Sequence, residues 1–464
     1  TPFTSTTSGG SDEVPPTPAD DVSSNFYEWD QTIALKNISS SDITYTLPRR
    51  NWTNGTTYDM YEDNISSSNT TTSGATNLYD STFFFRTANN RVYKVLDNNA
   101  GSAYSGAEPT SESTSPFAIG GYVLKYMYTI TASEQTKFLT TDFMPVSTDS
   151  TVSAAATDGK IESLIITAGS GYTAGTYYAA VYGDGSSAGT SSGAIISIVV
   201  GSGGTITSFG LTAGSDTTIH SGGGSYTYGT VNLGSSYTFS DAALTTSSSM
   251  GSGTGGVVQV VISPKNGHGY DAVEELGGHY VTCRATLTGA ENDDVLTGND
   301  FRNIAIVTDP TTYGTSTVAT ASTYRQTYAA KLTSVSGTFT VDEKISQAST
   351  GAIGKVVEWD STLSILYYHQ ERYADYGTNS TTGAYVAFSG ANAITGASSS
   401  AAGTPDADAD SAVTLAGNNT ITFTNGYANP ELQPDSGNII YSENRKPISR
   451  ATDQTEDIRI IVEF

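Results

Sequence analysis

Three things are scarce in this chain of 464 residues: charge, at 14% of residues, cysteine, present once, and histidine, present four times. The lone Cys283 leaves no internal disulfide to form, which excludes a crosslinked secreted scaffold. Its place in the strand-like stretch 280–287 reads as a small buried hydrophobe. Lys and Arg number 21 against 46 Asp and Glu, a formal net charge of −25, and no basic stripe runs anywhere. Such a chain repels nucleic acid backbone and anionic membrane, so neither is expected as a partner. No apolar run reaches the roughly 18 residues that a spanning helix needs. No charged-then-apolar signal segment opens the chain, and because it begins at Thr1 rather than Met, further residues are expected upstream. His220, His268, His279 and His369 lie far apart without metal-ligand spacing, and neither a metal nor a cofactor is expected.

What the chain does have is Gly, Tyr, Ser and Thr, with 48 Gly and 29 Tyr. Tyr and Thr suit a pleated, half-buried surface while Gly and Ser interrupt helices, so the expected fold class is all-β. Aromatic residues at 10%, with repeated Val/Ile runs, supply apolar surface for packed sheets. The length sets a prior of about three domains or sub-domains.

Residues 1–25 are polar and Pro-rich and read as an extended arm. From there to Val146, strand-like runs at 43–47, 82–87, 91–96 and 122–130 alternate with polar turns. The last of these is apolar or aromatic on both parities, as in a strand buried on both faces. Only 132–139 and 271–276 resemble helix. Over 151–260 the texture changes: 22 of the 110 residues are Gly, and Lys160 is the only Lys or Arg. Here 159–170 recurs as 204–215 with seven identities in twelve, each copy read as a short strand ending in a Gly turn. A second shift covers roughly 311–429, where 337–352 loosely recurs as 383–397 with strand-like runs at 356–359 and 363–368 between. The closing residues 457–464 alternate as a terminal strand. The division expected is a body at 1–150, 262–310 and 430–464, with Gly/Ser-rich β modules inserted at 151–261 and 311–429.

Motifs that carry chemistry are weak. Gly189–Gly193 fits Gly-x-Ser-x-Gly, but its low-complexity surroundings lack the strand-to-helix elbow that a nucleophile requires. Asp406–Asp410 mimics the start of a calcium loop but has Ser411 where Gly belongs and Gly417 where the closing Glu belongs. His268, between two glycines, reads as a turn histidine bonded to backbone. No catalytic residue is assigned. Two segments concentrate the side chains that anchor interfaces: Arg49, Arg50 and Trp52 in 47–52, and Tyr441, Glu443, Asn444, Arg445 and Pro447 in 440–448. They either contact a partner or brace the β core through Arg–carboxylate pairs.

Those segments, with Gly121–Ile130, Gly298–Pro310 and Asp453–Phe464, resemble in the same order blocks of the baseplate wedge subunit encoded by gene 8 of T-even-type contractile-tailed phages. The Gly/Ser/Thr-rich insertions are most similar to versions from phages of marine cyanobacteria. The resemblance covers about half the chain, and 441–464 is its most specific block. It implies an antiparallel β-sandwich body and a homodimer that ties neighbouring wedge subunits together, in the host cytoplasm during assembly and then in the tail baseplate of the virion. It implies no enzymatic activity and no cofactor. It also implies strands ahead of residue 1, and it assigns no role to the two large insertions. The competing readings are a carbohydrate- or receptor-binding tail adhesin, which would bind glycans alone, and a glycan-degrading enzyme with a carboxylate pair.

Overall fold

Tyr122–Thr129 shows how this sequence makes sheet: every side chain but the last is buried. Tyr122, Leu124 and Tyr126 enter one apolar cluster, while Val123 and Met127 on the other parity enter two others. The strand is central, between Arg91–Asp97 and Phe117–Ile119, so both faces need cover. The computed structural model describes residues 28–190, 192–235, 237–289, 303–320, 323–415, 419–444 and 454–464. Within them the chain is all-β, its strands paired in antiparallel sheets. Among the described residues no helix is long and apolar enough to cross a membrane.

The framework divides into two compact units, one drawn from Ser40–Arg284 and Arg459–Phe464, the other from Thr1–Ser39 and Ala285–Ile458. In the first, Phe84–Arg86 extends the sheet just described. A second sheet runs in the order Gln454–Glu463, Tyr280–Gly289, Ile43–Pro48, Phe143–Pro145. The helix Ala132–Phe138 opens on a capping box between Thr131 and Glu134. Asp271 caps Ala272–Leu276, which ends on Gly277 in the left-handed conformation. The short helix Ser150–Ala155, capped by Asp149, was not foreseen.

Also in this unit, Ser163–Ser170 pairs with Thr254–Val261, and a four-stranded sheet runs Thr218–Ser221, Ile195–Val200, Gly175–Gly183, Gly229–Val231. The two copies of the repeat part company here. The first supplies the strand Ser163–Ser170; the second makes only isolated bridges through Ile206 and Phe209. Their apolar positions still correspond, since Ile161 and Leu164 of one copy and Ile206 and Phe209 of the other lie in a single core. The copies also touch, Ile206 N–H donating to the Ala168 carbonyl at 2.9 Å. Glycines at matching places, Gly169 and Gly214, both take positive φ, +60° and +77°. A Cβ on Gly169 would sit 2.4 Å from the backbone nitrogen of Gly256, whereas one on Gly214 would meet nothing within 4 Å. Gly214→Ala is therefore expected to cost about 1–2 kcal/mol, the conformational term alone. Gly169→Ala should cost about 3 kcal/mol or more because overpacking against the paired strand adds to it. Calorimetric melts of the two variants side by side test the difference; equal losses would refute it.

In the other unit the sheet order is Ile365–His369, Ala352–Asp360, Lys344–Gln347, Ile394–Gly396, Ala402–Pro405, Tyr328–Ser336, with Tyr427–Ala428 added outside. Ile365–His369 also pairs with Tyr328–Ser336, Tyr328 opposite Tyr368, so six antiparallel strands close into a barrel. Alternation sorts the side chains: Leu366 and Tyr368 enter one cluster with Ile345, Val356 and Ile394. Ile365 and Tyr367 enter the other, with Leu415, Ile421 and Phe423. The latter three belong to or flank the hairpin Ala412–Thr414/Thr420–Thr422, which packs on the barrel's outer face. Asn303–Thr308 and Asn438–Asn444 form a separate two-stranded ribbon.

Candidate interface and binding sites

Arg49 follows the strand Ile43–Pro48, and its Nη1 donates to the Thr140 carbonyl at 2.7 Å while Nε donates to Asn51 Oδ1 at 3.1 Å. Arg50 donates to the Tyr79 carbonyl at 3.0 Å and lies over the ring of Phe84, 4.4 Å from its centroid. Burial lowers its pKa. Trp52 meets Tyr104 edge to face at 5.7 Å. The three side chains thus sit among backbone carbonyls, an amide and aromatic rings.

Tyr441, Glu443 and Asn444 fall on the ribbon, opposite Ile306, Ile304 and Asn303. The Tyr441 hydroxyl donates to Glu443 at 2.9 Å, and Ser442 donates to Glu28 at 2.8 Å. Ile440, just before Tyr441, is 59% exposed. Among the described residues no further strand joins either ribbon edge. Arg445 and Pro447 lie outside the described residues. In the terminal strand, Arg459 donates to the Thr136 carbonyl at 2.8 Å, and Phe464 N–H donates to the His279 carbonyl at 2.8 Å.

A charged cluster that sequence reading missed lies under the first sheet. Lys94 and Lys125 face each other on adjacent strands, and both are buried. Lys94 Nζ reaches Glu275 Oε2 at 2.9 Å and the face of Tyr61 at 3.9 Å. The other oxygen of Glu275 accepts the N–H groups of Gly269 and Asp271, at 2.7 and 3.3 Å. Lys125 donates to the Thr114 carbonyl. His268 is fully enclosed beside them, its Nδ1 3.9 Å from Glu275, with no hydrogen-bond partner on either nitrogen. The backbone-bonded turn histidine expected from its glycine neighbours is therefore not what forms. Desolvation first, then the nearby lysines, keeps its imidazole neutral. The visible signal for this cluster was one Lys inside each of two strands whose other interior residues are apolar or aromatic.

The remaining motifs do not converge on chemistry. Ser191 lies outside the described residues, and after Gly193 the chain enters the strand Ile195–Val200 rather than a helix. Asp406 accepts from Asp408 N–H at 3.2 Å within a local turn, and Asp410 accepts from the distant Asn425 N–H at 2.5 Å. Among the described residues no three His, Cys, Asp or Glu side chains are grouped to hold a metal ion. Cys283 is half-buried rather than buried, and burial raises its pKa.

At one end of the barrel lies a cavity of about 370 Å³. Trp29, Tyr313, Tyr328 and Tyr385 supply its aromatic lining, and Gln326, Gln370, Arg372, Asp30 and Asp435 its polar lining. Tyr328 stacks on Tyr368 with centroids 5.7 Å apart, and its hydroxyl bonds that of Tyr385. Arg372 sits between Asp30, at 3.6 Å, and Asp435. His369 also lines the cavity, and desolvation lowers its pKa to about 4, so it stays neutral.

Fold and sites together define an all-β protein of several sheets, with buried polar groups, a two-stranded ribbon and an aromatic cavity. A family model described as Bacteriophage T4, Gp8 matches residues 411–464. That segment holds the hairpin on the barrel, one ribbon strand and the terminal strand, and the match supports a relation to this family at the C-terminal end of the chain. No curated protein and no solved structure matches the chain.

Proposed function

We propose that the chain is a structural subunit of a phage tail baseplate wedge, acting as a homodimer that links neighbouring wedge proteins while the baseplate assembles in the host cytoplasm. The match of residues 411–464 to the phage family carries this reading. Support comes from the ribbon strand within that match, where Tyr441, Glu443 and Asn444 lie beside exposed Ile440. Arg49, Arg50 and Trp52 brace the β core of their own unit in this reading, and Arg445 and Pro447 belong to the same candidate docking segment, 440–448. The work is binding geometry rather than catalysis: preformed sheet edges keep the ordering cost of docking low. The body at 1–150, 262–310 and 430–464 carries this role, with the modules at 151–261 and 311–429 added to it.

Light scattering on the chain, alone and with the adjoining wedge proteins, tests this. The expected result is a dimer that shifts to a larger complex. Ile440→Lys, which places a charge on the exposed ribbon, should weaken that complex roughly tenfold or more. A monomer indifferent to the wedge proteins would overturn the proposal. It would favour instead a carbohydrate- or receptor-binding tail adhesin, the reading to which the aromatic cavity lends support.

A further inference from the structure

We infer that a second cavity, beside the buried Lys94–Glu275 pair, is a binding site for a primary alkylammonium ion. It lies within the unit that contains Ser40–Arg284 and holds about 280 Å³, a small volume for a ligand pocket. Carboxylates of Glu62, Asp63, Asp271, Glu274 and Glu275 line it, against one ammonium, of Lys265. Lys94 already neutralises Glu275. Lys265 is exposed and makes no ion pair among the described residues, so four carboxylates are left to one loose lysine. The group that points to a ligand is Tyr61. Only 6% of its surface is exposed, and Lys94 lies over its ring. Its hydroxyl bonds nothing among the described residues, yet it is not sealed off as the unpaired nitrogens of His268 are. The little surface that Tyr61 keeps therefore includes the hydroxyl, in the lining of the cavity. Burial first, then the charges of Asp63 and Glu275, holds the phenol protonated, a neutral oxygen able to accept from an ammonium.

The carboxylates narrow the kind of cation. Three of them spend one oxygen on the protein's own donors. Asn69 Nδ2 donates to Glu62 Oε2 at 3.2 Å, and Ile262 N–H to Asp63 Oδ1 at 3.1 Å. The N–H groups of Val273 and Glu274 donate to Asp271 Oδ1 at 2.9 and 3.2 Å. Each of these three keeps a single oxygen, and the Glu274 carboxylate bonds nothing among the described residues. Single oxygens on separate residues match the three independent N–H bonds of an ammonium, whereas a guanidinium fork is best met by both oxygens of one carboxylate. Among the described residues no three of the acids are grouped to hold a metal ion, so the balancing charge belongs on a larger ion. Ile65, Leu78 and Pro264 in the same lining offer apolar cover to its methylene stem. Burial, with the charges of Asp63 and Asp59, also raises the pKa of Glu62 despite its bond from Asn69, as expected where negative charge lacks a counter-ion.

The test is calorimetric titration of the whole chain, at fixed ionic strength, with n-butylammonium, cadaverine, spermidine and Nα-acetyllysine amide. At least one should bind saturably. Tyr61→Phe, which removes a hydroxyl that bonds nothing in the protein, should weaken it roughly tenfold while leaving the thermal melt unchanged. Glu274→Gln should weaken it about threefold, and Lys265→Ala, which removes the competing charge, should tighten it about threefold. Tighter binding of Nα-acetyllysine amide than of cadaverine assigns the site to a lysine side chain of a partner protein; the reverse assigns it to a free polyamine. No saturable binding by any of the four would overturn the assignment, as would binding untouched by Tyr61→Phe or matched by n-butylguanidinium. Such a failure leaves the baseplate reading standing, since that rests on the C-terminal match and is read by mass.

Discussion

Glu275→Ala is expected to destabilise the unit that contains it by about 3–5 kcal/mol, the loss typical of removing one partner from a buried ion pair. Lys94 has no exposed side-chain surface, and Glu275 is its charged partner at 2.9 Å. Without the carboxylate, an ammonium would be left facing the ring of Tyr61 beside Lys125. Two orphaned N–H groups, of Gly269 and Asp271, add to the loss. Lys94→Met should cost less, because Glu275 keeps those two donors, and the double variant Lys94→Met/Glu275→Leu should recover most of the deficit. The sign of the pH dependence follows from desolvation, which lowers the Lys94 pKa in the folded state. Between that lowered value and the unfolded value of about 10.4, the unfolded chain holds more protons, so stability rises with pH. The deficit of Glu275→Ala should therefore shrink on the alkaline side. Hydrogen exchange of the strand Arg91–Asp97 in increasing urea measures it, and an exchange profile like wild type at neutral pH would refute the account.

Glu343→Ala is expected to cost the barrel unit about 3 kcal/mol. One carboxylate there gathers five donors: the N–H of Thr340 and both the N–H and hydroxyl groups of Ser398 and Ser399, at 2.7–3.0 Å. It thereby ties the segment 337–352 to the residues that directly follow 383–397. Burial alone would raise its pKa, but these donors outweigh it and bring the value down to about 2. The folded value lies below the unfolded one, so the stabilisation is present in full above the usual glutamate range and is lost as pH falls toward about 2. Glu343→Gln should flatten the acid limb of the barrel's melting curve below about pH 4.3 while leaving its neutral plateau lower. An acid limb identical to wild type would count against the clamp.

The strands were legible because alternation and β-rich composition are local. Tyr122–Thr129, Arg91–Asp97 and Ile365–His369 lie where their residues predict, and Thr131/Glu134 and Asp271 announce their helices. What failed was whatever depends on distant partners. The second repeat copy carries the apolar pattern of the first yet finds no strand to pair with along its length, so it stays bridged turn. Closure of the barrel needs Tyr328–Lys331 to meet Ile365–Tyr368, which nothing in either segment states. Lys94 and Lys125 were submerged in apolar strands because their counter-charge comes from Glu275, far along the chain. The cavity likewise draws on stretches around residues 29, 313–328, 369–385 and 430–435. Of the interface candidates, sequence could name residue types but not their surroundings: it offered carboxylates for Arg49 and Arg50, and the structure supplies carbonyls, an amide and a phenyl face.

The closed barrel sets the way this half of the protein comes apart. An open sheet frays from its outermost strand, whose departure exposes only one row of hydrogen bonds. In the ring, each of the six strands is flanked on both sides, so there is no first strand to leave. Detaching any one of the six breaks two ladders at once and uncovers the apolar interior. Protection against exchange should accordingly be nearly level around the six strands and vanish in a single step, while Tyr427–Ala428, attached outside, exchanges earlier.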